Sequence, residues 1–134
     1  MEGSRFAVLD IVDFYLETPM DEYEYMTMPL ASSPQHTVDQ YDLNEHALNG
    51  QVYFEICRSI YGLPQAGALA NNNLKKFLAP AGYYEVVHTP GLWSHTTWPI
   101  KFSLLVDYFG VKYVVKEYVD HMIRSLRKHY ASIT

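Results

Sequence analysis

Apolar and polar residues alternate along this chain in short runs, and two longer stretches change to a helical period. Phe6-Ala7-Val8-Leu9-Asp10-Ile11-Val12 reads as a short buried strand carrying an acid at its end. Tyr23 to Leu30 alternates, with Tyr23, Tyr25 and Thr27 set against Glu24, Met26 and Met28, which predicts a half-buried strand stopped at Pro29. Gln51 to Cys57 is strand-like and follows the turn signal Asn49-Gly50. Tyr83–Val87 and Leu92–Ser94 predict two further short strands around Thr89-Pro90-Gly91. From Phe102 to Val115, two β-branched and aromatic runs flank a break at Asp107 and Tyr108, the signature of a hairpin with an acid at its tip.

The helical period appears twice. Ala70, Leu74, Phe77, Leu78 and Ala81 share one face, ended by Pro80 and Gly82. Val119, Met122, Ile123, Leu126 and Tyr130 share another, on a helix starting near Lys116. Ala31–Gly50 has no sustained pattern and predicts a surface excursion with one helical turn near Val38–Leu43. The expected class is α+β, antiparallel strands with two helices packed on one face.

Composition narrows the picture only slightly. The 134 residues fit one domain with a core, and 49% hydrophobic content argues against disorder. A net charge of −5 argues against autonomous, tight nucleic-acid binding. One cysteine, Cys57, excludes an internal disulfide and, lacking an activating base beside it, reads as a buried inert thiol. No apolar run reaches the roughly 20 residues a membrane helix needs, so the expectation is a soluble intracellular domain, cytoplasmic or nuclear, with no membrane partner.

Chemistry could sit at the two strand-end acids, Asp10 and Asp107. Neighbouring strands would bring both carboxylates to one sheet edge, a geometry for hard divalent cations; a solvated turn acid is the plainer reading. The run of six acids from Asp10 to Glu24 reads as a solvated face. The six histidines lack the spacing of a metalloprotease or finger motif. Tyr61-Gly62-Leu63-Pro64-Gln65-Ala66-Gly67 is the least generic heptad.

In order, these stretches resemble the palm of reverse transcriptases from copia-type long-terminal-repeat retrotransposons. Leu9-Asp10-Ile11-Val12-Asp13-Phe14-Tyr15-Leu16 is similar to the first catalytic motif, and Tyr61-Gly62-Leu63-Pro64-Gln65-Ala66 to the second. Glu24-Tyr25-Met26 with Met28-Pro29, and Gly82-Tyr83 with Thr89-Pro90-Gly91-Leu92-Trp93, resemble intervening stretches. The resemblance implies a polymerase palm over 6–20 and 61–131, with an inner piece of the fingers at 21–60, as a single partial domain. It implies RNA-directed DNA polymerisation by two-metal nucleotidyl transfer, with template-primer and deoxynucleoside triphosphates as partners. Asp10 and Asp107 would then be catalytic, holding two Mg²⁺ ions with the Ile11 carbonyl. Tyr15 would crowd the sugar 2′-position, and Gln65 would lie over the incoming nucleotide. The family pairs two consecutive acids where this chain has Asp107-Tyr108, and the chain begins just before the first motif and stops after the palm helix. The expectation is therefore a truncated, degenerate fragment with weak or incomplete Mg²⁺ binding, inactive alone.

Two readings from other classes stand beside it. One is a non-catalytic interaction or RNA-binding α+β domain, against which Tyr23 and Tyr25 sit among glutamates rather than Lys and Arg. The other is a small metal-dependent phosphotransfer enzyme built on the two acids, which would lack a phosphate loop.

Overall fold

A computed structural model describes residues 1–134, and contacts divide it into two compact units, Met1–Thr18 with Ser59–Thr134, and Pro19–Arg58. Strand β1 (Arg5–Asp10) opens the first unit, and β2 (Pro19–Pro29) the second. The second unit continues through two short helices, α1 (Gln35–Gln40) and α2 (Leu43–His46), to β3 (Gln51–Arg58). The first unit resumes with helix α3 (Ala66–Leu78), then β4 (Tyr83–Glu85), β5 (Leu92–His95), β6 (Ile100–Leu105), β7 (Tyr108–Tyr113) and helix α4 (Lys116–Arg127). The protein is mixed α+β with antiparallel sheets and four α-helices.

The first unit holds a five-stranded sheet in the order β1–β7–β6–β5–β4. Alternation divides its side chains cleanly. Leu9, Trp93, Phe102, Phe109 and Val111 point to one face and are buried. There they share a core with Ala70, Leu74 and Leu78 of α3 and with Val119, Met122 and Leu126 of α4. The asparagines Asn71, Asn72 and Asn73 are poor helix formers, so α3 owes its stability mainly to this packing. Gly82 stops the helical segment at φ +91°, a left-handed conformation suited to glycine. A Cβ there would also lie 2.6 Å from His95 Nε2, which itself bonds the Ala81 carbonyl at 2.9 Å.

The hairpin departs from the expected break by one residue. Val106 and Asp107 form the turn, and Tyr108 is already the first residue of β7, opposite Leu105 and Asp10. The shift arises because Val106 takes φ +59°. A β-branched residue rarely adopts that conformation, at a cost of about 1–3 kcal/mol that neighbouring pairing must offset.

In the second unit β2 and β3 pair antiparallel, with an irregularity between Pro19 and Glu24. Val38, Leu43 and Val52 form a small core of their own, flanked by Leu30, Ala47 and Phe54. The expected surface excursion is thus ordered by two short helices rather than one turn. The alternation in Tyr23–Leu30 does not give a half-buried strand, because nearly every residue of β2 is exposed on both sides of a two-stranded ribbon. Cys57 likewise is exposed on β3, not buried. No helix is long and apolar enough to cross a membrane.

Candidate functional site

The end of the five-stranded sheet gathers the strand-end acids. Asp10 is the last residue of β1 and faces the same way as Val8 and Phe6, away from the helices. Its Cα partner in β7 is Tyr108, and Asp107 comes just before Tyr108, in the hairpin turn. The Ile11 N–H donates to the Asp107 carbonyl at 3.2 Å, tying the β1 end to the hairpin turn. On its other side the Asp10 backbone exchanges two 2.9 Å bonds with Thr134. Both acids are half-buried, and Asp10 Oδ1 is enclosed without a hydrogen-bond partner. An enclosed, unpartnered carboxylate oxygen is costly, and a cation is one way to satisfy it.

Tyr61 completes the cluster. Its hydroxyl donates to Asp107 Oδ2 at 2.9 Å, and its ring stacks on Tyr15 with centroids 4.6 Å apart. Burial, the bond to Asp107 and the nearby charges of Asp107 and Asp10 push the Tyr61 phenol up to about 12, so it is a neutral donor at ordinary pH. Tyr15 in turn tilts against Phe14, a core residue. Its hydroxyl sits 3.4 Å from where a Gly67 Cβ would stand, so the small residue at the start of α3 leaves room for it.

Beside the acids runs a groove of about 330 Å³, with Tyr15, Gly67, Asn71, Glu85, Gly91 and Val106 among its walls. Burial pushes the Glu85 carboxyl up, but the Gly91 N–H at 2.9 Å, the Lys75 ammonium at 2.6 Å and Asn71 outweigh it, holding Glu85 below the ordinary value. It is an anionic, well-partnered wall.

The residues singled out in the sequence fare differently. Asp107 and Tyr15 both touch Tyr61, and Asp10 lies at the strand end beside the Asp107 turn. Ile11 joins them through its N–H, but the whole residue is buried, so it presents no exposed carbonyl. Gln65 caps the N-terminal end of α3, half-buried, and is not among the groove's walls. The histidines form no cluster: no group of three or more His, Cys, Asp or Glu that could hold a metal ion occurs. Tyr61 had no assigned role in the sequence. Its only signal was membership of the least generic heptad, since nothing local links it to an acid 46 positions away.

No protein-family model matches the chain, and no curated protein matches it.

Proposed function

We propose that this chain is a copia-type reverse transcriptase palm, with RNA-directed DNA polymerisation by nucleotidyl transfer as its reaction class. The observation that supports this most is the position of Asp10, at the end of β1, beside the turn that carries Asp107, to whose carbonyl the Ile11 N–H donates. The enclosed Asp10 oxygen and an all-oxygen donor pair suit Mg²⁺, which commonly binds through one or two carboxylates plus substrate phosphates. Bound there, such an ion would polarise a phosphoryl group and ease deprotonation of an attacking hydroxyl.

The chain's own residues would then divide the work. Asp10 and Asp107 supply the negative charge that holds the cation. Tyr15 stands at the groove's edge, where an incoming deoxynucleotide's sugar would meet its ring, and Gln65 marks the start of α3 beyond it. Lys101 and Lys112 on the open face of the sheet would meet template-primer phosphates. Tyr108 stands opposite Asp10 as a neutral phenol where the resemblance expects a second acid. Cation binding is therefore weak, and the unmodified chain is expected not to extend a primer.

A Mn²⁺ titration tests this. The expected result is weak binding that falls about tenfold or more in Asp10→Asn and in Asp107→Asn, but not in Asp13→Asn. Binding indifferent to both strand-end acids would contradict the reading. It would leave the second one, a non-catalytic interaction domain, which the 74% exposure of Phe6 and 72% of Val8 favours.

A further inference from the structure

We infer that Tyr61 is a positioning residue for the carboxylate pair, fixing the orientation of Asp107 through its hydroxyl while its ring is braced against Tyr15. The inference rests on the cation site proposed above and adds the group that presets it.

The geometry has three parts. The hydroxyl reaches Asp107 Oδ2 at 2.9 Å, and holding one carboxylate oxygen determines where the other points. The ring cannot swing freely, because it lies 4.6 Å from Tyr15 at 29° between planes, and Tyr15 is itself packed on Phe14. The backbone of Asp107 is held as well, by the Val106 turn on one side and the Ile11 N–H on the other. Backbone, side chain and brace thus converge on one acid.

The chemistry explains why a phenol suits this place. Two carboxylates at one sheet edge repel each other, and a cationic partner such as lysine would compete directly with a bound metal. A neutral donor orients the acid without cancelling its charge. Carboxylates that ligate metals are themselves commonly hydrogen-bonded, and loss of such an outer partner typically costs about 10–100-fold in metal affinity. Tyr61 is half-exposed, so removing its hydroxyl leaves the core untouched.

Mn²⁺ affinity of the full chain, measured for the unmodified protein, Tyr61→Phe, Tyr61→Leu and Asp107→Asn, tests the assignment, with thermal unfolding of each as the control for folding. Tyr61→Phe keeps the ring and is expected to bind Mn²⁺ about tenfold more weakly with its melting temperature little changed. Tyr61→Leu is expected to be at least as weak. If Tyr61→Phe binds like the unmodified chain while Asp107→Asn does not, the cation site stands and the role of Tyr61 is overturned. If Asp107→Asn also binds unchanged, the cation site itself is wrong and the inference goes with it.

Discussion

On one face of the five-stranded sheet, Leu9, Phe102, Phe109 and Val111 lie beneath α3 and α4 with at most 8% of their surface exposed. On the other, Phe6 and Val8 of the same β1, Leu105 of β6 and Tyr108 of β7 are more than half exposed. Apolar content does not separate these faces; what covers them does. The covered face packs against α3, whose asparagines make it a poor helix former, and α4, so its residues carry the stability. The open face keeps large side chains in water, joined by Lys101, Ser103, Gly110 and Lys112, and ends at Asp10. The covered face carries the stability, and the candidate site lies at the end of the sheet, where Asp10 on the open face meets the hairpin turn at Asp107 and the groove beside α3.

The sharpest way to break that contrast is to truncate one aromatic on each side. Phe109→Ala should cost about 3–5 kcal/mol through the cavity it leaves. Phe6→Ala should stay within about 0.5 kcal/mol, as isolated surface changes do. Urea unfolding of both reads the difference, and equal losses would mean the open face is covered in solution.

A smaller effect is expected at the junction of α3 with the sheet. Gly82→Ala forces a side chain into φ +91° and onto His95, whose ring also stacks on Trp98 at 4.4 Å. A loss of about 1–3 kcal/mol is expected in thermal unfolding. Gly110→Ala, where Ser103 Oγ can rotate away from 3.0 Å, should cost less. The reverse order would place the rigid side of the sheet wrongly.

On the open side, Tyr108→Asp should tighten Mn²⁺ binding by about 1–3 kcal/mol, the scale of one charged partner. No gain would mean that residue 108 does not face the bound ion.

The smallest effect concerns Lys75 and Glu85. The pair is partly exposed, so Lys75→Met should cost less than about 1 kcal/mol at neutral pH. Because Glu85 titrates below its ordinary value in the folded protein, its contribution is fully present above the unfolded-state pKa of about 4.3 and lost as pH falls through the folded one. Melting temperatures of the two proteins should therefore converge in acid. A gap that persists at low pH would assign the effect to packing of the lysine stem.

Much of the first unit was legible because period and burial agree there. The α3 face at Ala70, Leu74 and Leu78 and the β1 end at Asp10 follow directly from spacing, and the hairpin beside β1 follows from two β-rich runs. The one-residue error in its turn came from Val106, whose left-handed backbone no β-branched residue advertises. The second unit was less legible. Tyr23 to Met28 alternates as a half-buried strand would, yet the ribbon of β2 and β3 has no layer over most of it. Its small core at Val38, Leu43 and Val52 joins residues with no shared period. At the site, acids at strand ends could be read from sequence, whereas Tyr61 reaches Asp107 only through the tertiary fold.

The central claim, that Asp10 at the end of β1 and Asp107 in the hairpin turn form one cation site, is tested most directly by the anomalous diffraction signal of Mn²⁺ in crystals of the unmodified chain. The expected result is a peak within ligand distance of both Asp10 and Asp107 carboxylates, with the Tyr61 hydroxyl still on Asp107. A peak at another acid such as Glu85, with Asp10 and Asp107 unliganded, would contradict the claim.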